Sequence, residues 1–99
     1  MLEPMLEIGF DNFIFPSRVT AILNPEIAST KRIVQEAKAS GKYIDVTSNK
    51  KISSVIVLDT GDIVLSAISG ETIQNRYLRR IRVENNPAEF DKKGGKKAK

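Results

Sequence analysis

Basic residues give this sequence its most distinctive chemistry. Lys50 and Lys51 are adjacent and stand between two segments of strand-like composition, while Arg18 is the only basic residue in the first thirty positions. Ammonium and guanidinium groups projecting from a turn can contact a nucleic-acid phosphate backbone. The pattern predicts a polyanion-binding site. The plainer interpretations are a solvated hairpin tip at the lysines and a surface ion pair at Arg18.

A second basic group lies on a predicted helix. At 100° per residue, its apolar face and its cationic face are opposite each other. The apolar face comprises Ile73, Tyr77, Leu78 and Ile81, and the cationic side comprises Arg76, Arg79, Arg80 and Arg82. The arginines fit a secondary anion-binding surface or, equally well, a plain solvated face. An anionic membrane is a poorer partner because the apolar stripe contains no tryptophan or phenylalanine.

Catalytic chemistry has little support. The 99 residues include no histidine and no cysteine, which removes the commonest general base and the commonest soft metal ligands. Asp59 and Asp62 flank Thr60-Gly61, but aspartate and glycine are what a tight turn requires. We therefore expect no enzyme activity, no metal, no cofactor and no small-molecule substrate.

The elements that must position the basic residues begin with short strands. Segments 6–10 and 13–23 are rich in aromatic and β-branched residues and are interrupted by turn residues. A helix follows, with Asn24 or Ser29 as its N-cap and Gly41 as its end. Its predicted inner face comprises Thr30, Ile33, Val34 and Ala37.

Three further strands are predicted over 43–46, 54–58 and 63–68, with Ser48 to Lys51 as a turn. The continuous apolar run in 54–58 indicates burial on both faces and a central place in the sheet. We expect the three strands to form a meander, and Ser69-Gly70-Glu71 to open the second helix. The fold class is therefore α+β, with a small mixed or antiparallel sheet and two helices.

Residues 1–83 are predicted to form one domain, and 84–99 a disordered basic tail rich in glycine and lysine. The net charge is +4, which suits a polyanionic partner. The N-terminal residues lack the basic and apolar regions of a signal peptide, and no apolar run approaches the ~20 residues of a membrane span. We expect a cytoplasmic protein without a membrane partner.

Several segments, in their order and spacing, resemble the RemA family of bacterial regulators. They are 30–38, 41–47 followed by the basic pair, 55–59, 63–66 and 71–73, so that the resemblance covers roughly 8–77. The resemblance implies a DNA-binding activator of biofilm matrix operons with a fold related to LytTR-type DNA-binding domains. It also implies homo-oligomeric rings of about seven or eight subunits.

By this resemblance, the DNA contacts fall on Arg18, Lys50 and Lys51. The chain departs from the family in two places. Lysines replace an arginine pair, which keeps the charge but loses the planar bidentate fork of the guanidinium group. Ser48-Asn49 replaces a Tyr-Gly pair, and because asparagine tolerates positive φ, we expect the turn to be retained.

The leading hypothesis is a ring-forming, non-enzymatic regulator that binds double-stranded DNA. One alternative is an oligomeric protein-interaction scaffold whose arginine helix binds an acidic partner without contacting DNA. An RNA-binding module is a weaker alternative, because RNA recognition uses exposed aromatic platforms and the aromatic residues here are expected mostly in the core.

Overall fold

A computed structural model describes residues 4–85, with side chains described up to Ile81. The strands are β1 (Leu6–Glu7), β2 (Phe13–Ile14), β3 (Val19–Leu23), β4 (Tyr43–Asp45), β5 (Ser54–Leu58) and β6 (Ile63–Ser66), and the helices are α1 (Ala28–Ser40) and α2 (Gly70–Asn85). A single 3-10 turn, Pro16–Arg18, precedes β3. The predicted α+β class with two helices is confirmed. The relationship to LytTR-type domains stays a prediction.

The main sheet has the strand order β3-β5-β6-β4, and β1 pairs with β2 in a separate hairpin. Strand β5 is antiparallel to both β3 and β6, whereas β4 is parallel to β6. The predicted meander is therefore wrong, because β6 lies between β4 and β5. The connection from β4 to β5 runs over 46–53, which is long enough to pass across the end of an intervening strand.

Both faces of the two central strands are covered, as the apolar run in β5 predicted. Alternate side chains of β5 and β6 point to opposite faces. On the α1 face, the buried cluster comprises Ala37, Val55, Ile63 and Leu65. On the α2 face, it comprises Leu6, Ile8, Ile56, Val64 and Ile73. Each helix therefore covers one face of the same pair of strands.

Helix α1 begins at Ala28, between the two predicted N-caps, Asn24 and Ser29. Its N-cap is Ile27, without a side-chain hydrogen bond, so neither Asn24 nor Ser29 caps it. Asn24 Oδ1 instead accepts a 2.8 Å hydrogen bond from the backbone N–H of Glu26, which closes a separate turn before the helix. The helix ends at Gly41 with φ 76°, as predicted.

Helix α2 opens where the sequence predicts. The hydroxyl of Ser69 accepts a 3.1 Å hydrogen bond from the Thr72 backbone N–H, which satisfies one of the free donors of the first turn. The helix continues to Asn85, past the predicted domain end at 83, and 86–99 lies outside the described residues. Neither helix described in 4–85 combines the length and the apolar composition of a membrane span.

The expectation that the aromatic residues lie mostly in the core is wrong for those that the structure describes. All five are exposed, namely Phe10, Phe13, Phe15, Tyr43 and Tyr77, while Phe90 lies outside the described residues. In the short strand β2, side chains alternate between faces, so Phe13 points away while Ile14 packs against the α2-face cluster. Aliphatic side chains of β5 and β6 fill the interior instead.

A buried serine joins the N-terminal hairpin to the main sheet. The Ser66 hydroxyl, fully buried at the end of β6, donates a 2.7 Å hydrogen bond to the carbonyl of Ile8. It also accepts a 3.0 Å hydrogen bond from the backbone N–H of Ile68. One hydroxyl therefore satisfies two backbone groups that are 60 residues apart in the chain.

Replacing this hydroxyl should destabilise the fold. Ser66→Ala leaves the Ile8 carbonyl and the Ile68 N–H without a partner, and we expect the free energy of unfolding to fall by about 1–3 kcal/mol. Urea denaturation followed by circular dichroism measures the change. The control is Ser40→Ala, an exposed site where the change should stay within about 0.5 kcal/mol. Equal effects at the two sites would contradict the assignment.

Candidate nucleic-acid interface

The connection 46–53, which we call the lysine arch, carries Lys50 and Lys51 across the end of β6. At its start, the Val46 N–H donates to the carbonyl of Leu65 at 3.0 Å, and at its end the Ser53 N–H donates to the carbonyl of Ser66 at 2.8 Å. Both ends of the arch are thus bonded to the last residues of the same strand. The basic pair is not at the tip of a hairpin, as the plainer interpretation assumed.

Asp45 fixes the first half of the arch. Its Oδ1 accepts hydrogen bonds from the backbone N–H of Thr47 at 2.9 Å and from the Thr47 hydroxyl at 2.6 Å. The Thr47 carbonyl then accepts a 2.9 Å hydrogen bond from the Lys50 N–H. Ser48 and Asn49 between them have φ of 55° and 68°, so the expected positive φ at Asn49 is present. The lysines therefore follow a turn with a defined backbone.

The two lysines differ in their surroundings. Both are exposed, and Lys51 Nζ lies 3.8 Å from Glu26 Oε2. Among the described side chains, which end at Ile81, Lys50 has no ion-pair partner. The Lys50 ammonium group is therefore available to an external anion, whereas a carboxylate already offsets part of the charge of Lys51.

Arg18 forms the surface ion pair that its plainer interpretation predicted. Its Nε donates a 2.8 Å hydrogen bond to Asp59 Oδ2, and the Asp59 backbone N–H donates to the Arg18 carbonyl at 2.8 Å. The guanidinium group carries four N–H donors besides the one bonded to Asp59. Arg18 could therefore bind a second anion while it remains paired with Asp59.

The structure brings the two lysines together but not Arg18. Arg18 lies beside Asp59, which follows the C-terminal end of β5. The lysine arch comes just before the N-terminal end of the same strand. At ~3.3 Å per residue, the length of β5 alone separates these ends by about 15 Å. Within one chain, Arg18 and the lysine arch are two sites rather than one.

Two of the predicted helix arginines bind the protein itself. Arg76 Nη1 donates to the Glu7 carbonyl at 3.1 Å, and Arg80 Nη2 donates to the Met5 carbonyl at 2.9 Å. Arg79 is also engaged in an interaction, and the Arg82 side chain lies outside the described residues. Arg76 and Arg80 therefore hold the N-terminal segment against α2. Anion binding at this helix stays a prediction. An anion at Arg76 or Arg80 would share the guanidinium group with a backbone carbonyl of that segment.

Sequence reasoning missed three residues that shape the site. Asp45 and Thr47 have the Asp-x-Thr spacing of a local side-chain turn, so the sequence did contain a signal for this pair. Glu26 gave no comparable signal, because 25 positions separate it from Lys51 and only the tertiary fold brings them together.

Comparison with known sequences gives a match that includes Arg18 and the whole lysine arch. The chain matches the family model described as RemA-like, extracellular matrix regulatory protein A-like, over residues 5–77. The chain belongs to the RemA-like family. The matched region includes Arg18 and the lysine arch, and it ends before Arg79, Arg80 and Arg82.

Curated RemA-like relatives are similar over most of their length. A protein of Lachnoclostridium phytofermentans is 41% identical over 85 residues, which cover 86% of this chain and 93% of the relative. A protein of Fervidobacterium nodosum is 46% identical over 74 residues, covering 75% and 80%. A Synechococcus protein is 43% identical over 74 residues, covering 75% and 83%. All three carry the name "Putative regulatory protein".

The lysine arch of this RemA-like chain should respond to acid. Hydrogen bonds from the Thr47 side chain, then from its backbone, lower the pKa of Asp45 below the ordinary value of 3.8, and Lys38 adds to this while partial burial opposes it. Because the folded pKa is depressed, the stabilisation is complete above pH 3.8 and is lost as the pH falls through the lower folded value.

An NMR titration of the Thr47 amide measures this transition. We expect its chemical shift to change with a midpoint below 3.8 in the wild type. The transition should be absent in Asp45→Ala, which has no carboxylate at this position. A midpoint at or above 3.8 would contradict the hydrogen-bonded geometry.

Proposed function

We propose that this RemA-like protein is a non-enzymatic transcription regulator that binds the backbone of double-stranded DNA through the lysine arches of a ring of identical subunits. One observation carries the proposal: Lys50 and Lys51 are exposed on an arch whose backbone is fixed by Asp45 and Thr47. A fixed backbone lowers the entropy lost when the two ammonium groups engage phosphates. The regulatory names of the relatives agree with this role.

Support for assembly comes from a row of four aliphatic residues across the α2 face of the sheet. Strand register places Ile22, Ile56, Val64 and Ile44 side by side, on β3, β5, β6 and β4. The inner two are 0% and 3% exposed, whereas Ile22 is 36% and Ile44 is 53% exposed. Helix α2 and β1 cover only the middle of this face, so each end needs another cover.

The two exposed ends differ in shape. Beside β3 lies an apolar groove between the N-terminal hairpin and α2, whose walls include Ile22, Pro16 and Tyr77. At the other edge of the sheet, Ile44 projects from β4 without a neighbouring strand among the described residues. We propose that Ile44 of one subunit enters the groove of the next. Such a head-to-tail contact produces a closed ring when its rotation closes.

A ring explains how weak contacts give useful affinity. One subunit offers two lysines from its arch, and each phosphate contact adds a small, salt-dependent contribution. Once one arch is bound, the next arch in the ring binds as if intramolecularly, which raises avidity without new contacts. Ammonium groups attract phosphate as point charges, so selectivity is proposed to come from the ease of bending the DNA rather than from base contacts.

Arg18 is proposed as a second and weaker DNA contact. It lies at the other end of the sheet, and Asp59 offsets part of its charge. In the ring, the Arg18 residues would form a separate basic band. The description of the family, extracellular matrix regulatory protein A-like, suggests extracellular matrix genes as the regulated class.

Removing the lysines should abolish most DNA binding. We expect Lys50→Ala/Lys51→Ala to weaken binding to duplex DNA and to flatten the dependence of log K on log salt by about 0.9 for each phosphate that the protein no longer neutralises. A mobility-shift titration across salt concentrations measures both effects.

The matched control for that titration is Arg32→Ala/Lys42→Ala. It removes the same number of positive charges from exposed positions outside the lysine arch, one on α1 and one just before β4. Wild-type protein that shows no salt-sensitive shift would rule out the DNA-binding proposal. Equal losses in both double variants would mean that overall charge, rather than the lysine arch, drives binding.

Assembly should depend on the β4 edge. Ile44→Asp places a carboxylate in the proposed apolar contact, and we expect the assembly to dissociate to monomers with an unchanged circular dichroism spectrum. Light scattering after gel filtration measures the mass. The control is Ile33→Asp, which should leave the mass unchanged. Ile33 was predicted on the inner face of α1, but the structure leaves it 38% exposed. A monomeric wild-type protein at micromolar concentration would contradict the ring.

A further inference from the structure

Two carboxylates lie next to the lysine arch, and they are attached to it in different ways. Asp45 accepts two hydrogen bonds from Thr47, at 2.9 and 2.6 Å. Glu26 approaches Lys51 only to 3.8 Å, which is too long for a hydrogen bond. Asp45 can therefore affect the arch by fixing its backbone through hydrogen bonds, whereas Glu26 can affect it only through its negative charge.

The contribution of Asp45 runs through the backbone to the lysines. Thr47, which Asp45 holds, is buried and accepts the hydrogen bond of the Lys50 N–H at 2.9 Å. Between them, Ser48 and Asn49 adopt positive φ, a conformation that costs free energy in residues other than glycine. The hydrogen bonds of Asp45 help to offset that cost and keep the lysines at the crest of the arch.

A hydrogen bond to a neighbouring side chain holds the backbone of Glu26. The Asn24 side chain accepts the Glu26 N–H at 2.8 Å, in the turn that precedes α1. Glu26 lines a shallow groove between α1 and the arch, together with Lys31 and Lys51. A phosphate that approaches Lys51 therefore meets a negative charge 3.8 Å away and must compete with it.

We propose that Asp45 and Glu26 act in opposite directions on anion binding by the lysine arch. Asp45 is a positioning residue that presents the lysines, and Glu26 is a built-in competitor that weakens the hold of Lys51 on an external phosphate. This inference rests on the proposed function, because it assumes that the arch binds a polyanion.

Paired substitutions separate charge from geometry. Four variants each raise the net charge by one, namely Glu26→Gln, Glu26→Ala, Asp45→Asn and Asp45→Ala. A residue that acts only by charge gives the same result with either replacement. A residue that acts by accepting hydrogen bonds gives different results, since the asparagine amide keeps an acceptor oxygen and alanine does not.

At Glu26, both replacements should tighten binding to a short DNA duplex, and to the same extent. The ion pair is exposed, so the expected gain is about 1.5- to 5-fold for each contacting subunit. The gain should shrink as salt rises, because screening weakens an exposed charge. Glu36→Gln, an equal charge change on the exposed surface of α1, is the control and should give a smaller gain.

At Asp45, the two replacements should differ. Asp45→Asn should bind at least as tightly as the wild type, while Asp45→Ala should bind about 3- to 10-fold more weakly than Asp45→Asn despite the same charge. The salt dependence should also flatten in Asp45→Ala only, because misplaced lysines neutralise fewer phosphates. Light scattering and a thermal melt check that each variant stays assembled and folded.

The results distinguish the inference from the proposed function. Equal gains in Glu26→Gln and Glu36→Gln would overturn the competitor role, and equal binding by Asp45→Asn and Asp45→Ala would overturn the positioning role. The salt concentration at which each variant elutes from a heparin column ranks the variants by their binding to a different polyanion. If heparin gives the ranking expected here while the wild type fails to bind duplex DNA, the proposed function fails and the inference stands.

Discussion

Insertion of β6 between β4 and β5 is the constraint on which the rest of this protein depends. The two strands joined by the lysine arch are not paired with each other, so the chain must cross the end of a third strand. That crossing places Lys50 and Lys51 over the sheet end, where the backbone groups of Leu65 and Ser66 anchor the arch. A hairpin would have paired β4 directly with β5 and would not have carried the chain over the end of β6.

The same arrangement determines which parts of the sheet are buried. Strands β5 and β6 occupy the centre and receive a helix on each face, while β3 and β4 become the edges. A chain of this size buries a smaller fraction of its surface than a larger domain does. The apolar ends of the row, Ile22 and Ile44, are consequently exposed. In the ring that we propose, neighbouring subunits supply the missing cover and also bring the lysine arches together.

The fold, rather than the overall amino-acid composition, determines which charges lie near the site. The net charge of +4 says little, because acidic side chains lie beside two of the three proposed contact residues. Asp59 pairs with Arg18, and Glu26 lies close to Lys51. Arg76 and Arg80, which formed the most basic helix face in the sequence, bind the backbone of the N-terminal strand. Of Arg18, Lys50 and Lys51, only Lys50 is exposed without an ion-pair partner among the described side chains, which end at Ile81.

The sequence by itself determined the local features of this protein: the α+β class, the buried strand β5, the Ser69 cap of α2, the Gly41 end of α1 and the position of the basic pair. Each depends on residues within a few positions of one another, whose propensities and periodicity can be read directly. The tertiary structure alone decided that β6 separates β4 from β5, that Arg18 lies far from the lysines, and that Glu26 reaches Lys51. These features depend on contacts between segments that are distant in the chain, and no pattern within a few residues encodes which segments will meet.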